Sequence, residues 1–270
     1  MKRSDWKESL CRIQLKKLTA KFYEDSFLEI VLKDVLHPGG LELTERLASL
    51  ANIKENSTVL DIASGKGTSA IFLAKRFNCN VIGIDLSEAL IRKATKLAQN
   101  EMIADQVFFK LGDAERLPFK TNSFDAIISE CSLCLFPNKK SALKEMHRVL
   151  NDDGKLALSD VTLEDTDREF RNKLLFFSCI EGAVPLEVLD SYFKDTGFLE
   201  IDVIDSSEVI IDLYKSVKRR RASLRPILKI LENSEGDINV RNLIEFARTA
   251  EQLIREGKLG YGVVVGKKQN

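Results

Sequence analysis

The segment 59–68, with the sequence VLDIASGKGT, constrains the fold of this chain more than any other. An apolar run ends at Asp61 and turns through Gly65 and Gly67 into an apolar helical pattern. Glycine permits a positive φ and a close approach of the backbone to a ligand. The segment therefore predicts a strand, turn and helix that bind a nucleotide-type ligand. Taken alone, residues 65–70 also fit the G-x-G-x-x-G/A pattern of NAD enzymes.

Three further acids close the next predicted strands. Apolar runs end at Asp85, about 20 residues beyond the glycines, at Asp113 and at Glu130. The carboxyl ends of the strands in an open parallel sheet line one crevice. We therefore expect these acids and Asp61 to face a single ligand. Asp85 has the spacing of a carboxylate that accepts hydrogen bonds from ribose hydroxyls.

The chain resembles the class I S-adenosylmethionine-dependent methyltransferases over about residues 35–205. The resemblance rests on the glycine loop, Asp85, the GDAE segment 112–115, the LPF and SFD segments 117–119 and 123–125, and EMHRVL at 145–150. It implies S-adenosylmethionine as the cofactor, with the adenine at Asp113 and Ala114 between Leu86 and Leu117. The implied cofactor-binding residues are Asp61, Ala63, Ser64, Gly65, Gly67, Thr68, Asp85, Leu86, Asp113, Ala114 and Glu130. Two departures from the family pattern, alanine at 63 and NDDG at 151–154, leave this assignment standing.

Strand and helix patterns alternate from 58 to 161, which indicates an α/β domain, and helical periodicity returns before a last strand at 260–265. With the resemblance, we predict a Rossmann-like, doubly wound sheet of seven strands, N-terminal helices and a helical insertion before the last strand. The expected domains are an N-terminal helical lid at 1–40, a methyltransferase domain at 41–210 and 259–270, and the insertion at 211–258. We expect the segments 1–40 and about 211–258 to pack over the carboxyl ends of the strands as a lid, which excludes water and encloses a small-molecule acceptor.

Two cysteines bear on the acceptor. Cys131 follows Glu130 at the end of strand four, and Cys179 lies in the segment 176–183, FFSCIEGA. These segments resemble those of the arsenic methyltransferases, whose two thiolates hold trivalent arsenic facing the methyl group. The family has asparagine where this chain has Glu130, and its third cysteine, expected around His37, has no counterpart. Cys134, one helical turn from Cys131, is either a substitute ligand or a core residue.

The expected reaction is an in-line displacement at the methyl carbon of a sulfonium. A thiolate or an arsenic lone pair needs no general base, whereas for an oxygen or nitrogen acceptor Glu130, alone or with His37, is the candidate base. The candidate catalytic residues are thus Glu130, Cys131 and Cys179. Two other classes stay open at this point, an NAD-dependent oxidoreductase and a non-catalytic protein that binds S-adenosylmethionine for regulation.

Composition favours a soluble enzyme of the cytoplasm. Forty-one basic and 41 acidic residues cancel, so no overall field recruits nucleic acid or an anionic membrane. The charged N-terminal segment lacks an apolar signal sequence, and no run of about 18 apolar residues occurs. We expect a monomer or homodimer without membrane or nucleic-acid partners. Five cysteines at irregular spacings do not suggest disulfides, and no metal is expected because the C-x-x-C at 131–134 lacks a second pair.

Overall fold

The computed structural model describes residues 14, 16, 20, 21, 23, 24, 37–164, 180, 182–219 and 240–269, with the backbone alone for 240–247. Most of the predicted N-terminal lid and residues 220–239 of the insertion lie outside these residues. So does Cys179.

Helices and strands alternate along most of the described chain. The strands are β1 (Thr58–Ile62), β2 (Asn80–Asp85), β3 (Val107–Leu111), β4 (Phe124–Glu130), β5 (Leu150–Leu163), β6 (Leu199–Asp205) and β7 (Leu259–Lys267). The helices are α1 (Gly40–Leu50), α2 (Thr68–Phe77), α3 (Glu88–Asn100), α4 (Lys139–Val149), α5 (Leu186–Asp195), α6 (Glu208–Arg219) and α7 (Val240–Arg255). A 3₁₀ turn at Leu133–Leu135 lies between β4 and α4.

The strands form one seven-stranded sheet in the order β3-β2-β1-β4-β5-β7-β6. β1 to β5 run parallel, and β7 lies antiparallel between β5 and β6. The strand order reverses between β1 and β4, which is the point where doubly wound sheets bind ligands. The predicted fold class is confirmed, including the helices inserted before the last strand.

Both faces of the sheet are covered by helices. Val59 packs in one buried cluster with Leu47 of α1 and Leu73 of α2. The next residue, Leu60, points to the other face, in a second cluster with Met146 of α4 and Phe193 of α5. Four of the five residues of β1 are therefore buried, without the alternation of a strand that has one exposed face, because parallel strands are buried on both sides.

The two described helices of the insertion, α6 and α7, pack beside β7. α6 and α7 both contact β7, and the buried Leu253 of α7 lies in the same cluster as Val263. The first insertion helix begins at Glu208, three residues before the expected boundary. Within the parts of the chain that the structure describes, no helix has both the length and the apolar character needed to cross a membrane.

Candidate active site

A cavity opens at the carboxyl ends of β1, β2 and β4, at the switch point of the sheet. It is open to solvent at its mouth, and both polar and apolar side chains line it. Every predicted cofactor residue except Gly67 lines it: Asp61, Ala63, Ser64, Gly65, Thr68, Asp85, Leu86, Asp113, Ala114 and Glu130. Cys131 and His37 line it as well.

Asp85 ties the glycine loop to the end of β2. Its Oδ2 accepts a hydrogen bond of 2.9 Å from the Gly65 N–H, and its Oδ1 accepts one of 2.8 Å from the Ser87 N–H. The loop passes through positive φ values at Ala63, 56°, and at Gly65, 54°. Asp85 thus fixes the loop in addition to facing the cavity.

Gly67 has a different role from the one that the sequence suggested. Its φ is +82°, and a Cβ there would lie 2.3 Å from Cζ of Phe109. Since Gly67 does not line the cavity, its missing side chain makes room for Phe109 of β3 rather than for a ligand.

Leu117, which we expected to pack on the adenine ring, does not line the cavity. Leu117 is 4% exposed and belongs to the core cluster under the sheet. Its N–H donates a hydrogen bond of 2.8 Å to Glu145, which is how the LPF and EMHRVL segments meet. Leu135 and Phe136 line the cavity instead, and sequence analysis did not assign either of them a role.

Four carboxylate side chains, those of Asp61, Asp85, Asp113 and Glu130, and two lysine side chains, those of Lys16 and Lys66, line the cavity. Asp61 is buried, and its Oδ2 has no hydrogen-bond partner. Burial, followed by the charges of Glu130 and Asp85, raises the pKa of Asp61 well above its ordinary value. Burial also raises the pKa of Asp85, against the opposing effect of its backbone N–H donors. A cationic ligand would satisfy the orphaned oxygen and offset this concentration of negative charge.

The N-terminal segment contributes Lys16 at the adenine end. The Lys16 Nζ lies 2.7 Å from Oδ2 of Asp113 and 2.9 Å from Oε2 of Glu115. Lys16, Ala20 and Tyr23 line the cavity. No sequence motif marks Lys16, because it lies 97 residues from Asp113.

At the opposite end, Glu130 is held by α1 and the residues before it. Thr44 Oγ1 donates a hydrogen bond of 2.9 Å to Oε1 of Glu130, and the His37 Nε2 lies 3.3 Å from Oε2. The same Nε2 lies 3.1 Å from Oγ of Ser69. The Glu130 and His37 side chains are 4% and 7% exposed, so these groups interact out of bulk water. Sequence analysis missed Thr44 and Ser69.

The predicted catalytic cysteines are only partly described. Cys131 has a φ of 50° and is 8% exposed at the cavity wall. Its Sγ, the Cys134 Sγ and a carboxylate oxygen of Asp160 all lie within 4.8 Å of one another. Burial raises the pKa of Asp160 to about 6. The pairing of Cys131 with Cys179 stays a prediction, because Cys179 lies outside the described residues.

Residues 53–201 match the family described as "Methyltransferase domain". The chain belongs to this methyltransferase family. It is 35% identical over 233 residues to a 27-O-demethylrifamycin SV methyltransferase of Amycolatopsis mediterranei, covering 84% of this chain and 82% of the relative. It is 30% identical over 172 residues to an arsenite methyltransferase of Halobacterium salinarum, covering 61% of this chain and 44% of that relative.

A phosphoethanolamine N-methyltransferase 2 of Haemonchus contortus, solved with S-adenosyl-L-methionine, shares the fold. Its TM-score is 0.76 at 20% identity, over 90% of this chain and 56% of that one.

The protein is therefore a class I S-adenosylmethionine-dependent methyltransferase, and not an NAD-dependent oxidoreductase or a non-catalytic protein. The residues of the cavity fit the cofactor. S-adenosylmethionine carries a sulfonium and an ammonium group, and the cavity offers the unpartnered Oδ2 of Asp61 among several carboxylates. Asp85 and the glycine loop would hold the ribose and the methionine part, and Asp113 and Ala114 the adenine.

Proposed function

We propose that this enzyme transfers the methyl group of S-adenosylmethionine to a hydroxyl oxygen of a small-molecule acceptor, with His37 and Glu130 acting together as the general base. The observation that carries this proposal is the buried contact of 3.3 Å between the His37 Nε2 and Oε2 of Glu130. Both residues line the cavity that contains the cofactor acids. An oxygen acceptor needs such a base, whereas a soft nucleophile does not.

The two nitrogens of His37 suit the uptake of a proton. The Nδ1 lies 3.1 Å from the Pro38 carbonyl oxygen, which accepts a hydrogen bond when Nδ1 carries the proton. The Nε2 faces Oε2 of Glu130 and Oγ of Ser69. Once Nε2 is protonated, the Glu130 carboxylate stabilises the imidazolium as an ion pair.

Thr44 completes the arrangement from the other side. Its hydroxyl donates to Oε1 of Glu130 at 2.9 Å and lies 3.3 Å from Oε2, the oxygen that faces His37. In the proposed step the acceptor's O–H proton would pass to the His37–Glu130 pair as the acceptor oxygen takes the methyl group. When bound, S-adenosylmethionine supplies the methyl group, and its sulfur keeps the electron pair of the broken C–S bond.

The N-terminal segment 1–40 is proposed as the lid of this site. Lys16, Ala20 and Tyr23 support the proposal because they line the cavity although they lie far from the sheet in sequence. The insertion is not part of the proposed lid, since none of its described side chains lines the cavity. The methyltransferase of Amycolatopsis mediterranei supports a small-molecule hydroxyl acceptor, because it is named for 27-O-demethylrifamycin SV.

A trivalent arsenical is the second candidate acceptor. Cys131 favours it, because its thiol is at the cavity wall beside Glu130 and a second thiol, Cys134, lies close by. The arsenite methyltransferase of Halobacterium salinarum supports the same candidate. This reaction would use the lone pair of arsenic and leave the His37–Glu130 pair without a proton to accept.

Methyl transfer from labelled S-adenosylmethionine to alcohols, phenols, amines, thiols and trivalent arsenicals tests the proposal. The Glu130→Gln and His37→Gln variants should lose hydroxyl methylation, while Cys131→Ser keeps it. Cys79→Ser is the matched control, since the buried Cys79 thiol only donates to the Leu73 carbonyl. Arsenical methylation that is lost in Cys131→Ser and kept in Glu130→Gln would overturn the hydroxyl proposal in favour of arsenic.

A further inference from the structure

Two cysteines and an aspartate meet at the end of the cavity that faces the acceptor. The Sγ atoms of Cys131 and Cys134 and a carboxylate oxygen of Asp160 are within 4.8 Å of one another, and all three residues are buried. We propose that this cluster is a binding site for a thiophilic divalent cation, with Zn²⁺ as the ion that its donor set fits. Spacing in the sequence could not show the site, because Asp160 lies 26 residues from Cys134.

The donor atoms are of the right kind and nearly at the right separation. Zinc is bound tetrahedrally by thiolate sulfur at about 2.3 Å and carboxylate oxygen at about 2.0–2.2 Å, so its ligand atoms lie about 3.5–3.8 Å apart. A cluster with separations of up to 4.8 Å would reach this geometry by contracting by about 1 Å.

The backbone around the cluster is fixed. Asp160 Oδ2 accepts a hydrogen bond of 2.7 Å from the Cys134 N–H, and its Oδ1 accepts one of 2.8 Å from the Val161 N–H. The Cys131 N–H donates to the Ser159 carbonyl at 2.7 Å, and Cys131 adopts a left-handed φ of 50°. These contacts hold the 3₁₀ segment after β4 against β5, which brings the thiols to the carboxylate.

The charges balance when an ion is bound. Each thiol releases one proton on binding the metal, so two thiolates and one carboxylate carry three negative charges. A divalent cation neutralises two of them. The ammonium of Lys139 faces the third, because its Nζ donates to the Cys134 and Phe136 carbonyls and its charge acts on Asp160.

Of the three residues, Cys131 alone is among the described residues that line the cavity, so an ion bound to the cluster would lie at the cavity wall. The three residues leave one position of a tetrahedral ion for a further ligand. Binding of the ion does not depend on the function proposed above.

Cobalt substitution of the full-length, reduced and metal-stripped protein tests the site. Addition of Co²⁺ should produce the thiolate-to-cobalt charge-transfer absorption of a tetrahedral site, and Zn²⁺ should abolish it by competition. The absorption should be lost in Cys131→Ser and Cys134→Ser, be weakened in Asp160→Asn and persist in Cys79→Ser. Absence of this absorption in the wild-type protein, or its persistence in the Cys131→Ser/Cys134→Ser double variant, would overturn the proposal.

A second measurement on the wild-type protein keeps the test decisive if a variant does not fold. Zn²⁺ should slow alkylation of Cys131 and Cys134 at least tenfold, as followed by mass spectrometry of the peptides, and leave the rate at Cys79 unchanged. Equal rates with and without Zn²⁺ would rule out the site. Protection by arsenite but not by Zn²⁺ would also overturn it, and would support the arsenical acceptor instead. Because neither readout depends on methyl transfer, failure of the metal site is distinguishable from failure of the proposed function.

Discussion

The His37 Nε2 lies 3.3 Å from Oε2 of Glu130, so a residue three positions before α1 meets the residue that ends β4. The contact joins two parts of the chain that the cofactor motifs do not connect. It is buried and lines the cavity, which gives a carboxylate at the end of a strand a partner that can carry a proton.

The first prediction concerns this pair. Glu130→Gln should lower kcat about 100-fold with a hydroxyl acceptor, because it removes the charge that stabilises the His37 imidazolium. Thr44→Val keeps the carboxylate and removes the hydroxyl that donates to Glu130, so its loss of kcat should be clearly smaller. Steady-state kinetics on both variants provide the check. A Glu130→Gln enzyme with wild-type kcat would remove the pair from catalysis.

The second prediction is that Asp85→Ala weakens binding of S-adenosylhomocysteine tenfold to a hundredfold. A charge-assisted contact to the ribose hydroxyls contributes about 1.5–3 kcal/mol, and Asp85 also holds the Gly65 N–H. Titration calorimetry measures the change. Asp105→Ala, at an exposed position outside the cavity, is the control and should bind as the wild type does. An unchanged Kd for Asp85→Ala would exclude Asp85 from the cofactor site.

The third prediction follows from the orphaned carboxylate of Asp61. Its pKa is raised above the ordinary 3.8, chiefly by burial, so the folded apo protein holds this proton more tightly than the unfolded chain does. This contribution to stability is complete below the unfolded pKa and is lost as the pH rises through the folded pKa. Asp61→Asn should therefore stabilise the apo protein at neutral pH, by an amount that grows as the pH rises above about 4.

The same substitution should weaken cofactor binding in a charge-dependent way. S-adenosylmethionine carries one more positive charge than S-adenosylhomocysteine, so Asp61→Asn should reduce affinity for the sulfonium form more. Urea denaturation across pH and calorimetry with both ligands test the two effects. Equal losses for the two ligands would show that Asp61 does not act on the sulfonium charge.

The sheet and the cofactor acids could be predicted because their signals are local. The strand at 58–62, its glycine loop and Asp85 lie within about 30 residues and follow a pattern that the backbone geometry requires. The contact between Thr44 and Glu130 spans 86 residues, and the one between Lys16 and Asp113 spans 97. Such pairs depend on how helices dock onto the sheet, which hydrophobic periodicity does not specify.

Gly67 and Leu117 show what a sequence motif does not predict. Both residues lie in motifs of the cofactor site, yet Gly67 packs against Phe109 and Leu117 lies in the hydrophobic core. A motif identifies a segment, but not which of its side chains turn toward the ligand.

The fourth prediction concerns the adenine end. Lys16 fixes the Asp113 carboxylate at 2.7 Å, and in the proposed lid it also closes the cavity. Lys16→Ala should therefore weaken binding of S-adenosylhomocysteine a few-fold, the modest effect of a partly exposed ion pair. Lys21→Ala, at an exposed position of the same segment outside the cavity, is the matched control. Tighter binding by Lys16→Ala would mean that Lys16 competes with the adenine for Asp113.

The last prediction separates packing from ligand binding at the glycine loop. Gly67→Ala should lower the free energy of unfolding by roughly 1–3 kcal/mol, because a Cβ at Gly67 would lie 2.3 Å from Phe109 Cζ at a φ of +82°. Gly112→Ala is the matched control, since its Cβ would lie 3.6 Å from the nearest side-chain atoms, an ordinary contact.

Urea denaturation of the two variants, with and without Phe109→Ala, measures the coupling between Gly67 and Phe109. If the clash with Phe109 carries the cost, Gly67→Ala should destabilise the protein less in the Phe109→Ala background, because the ring is no longer there. An equal cost in both backgrounds would assign the effect to the left-handed backbone of Gly67 alone.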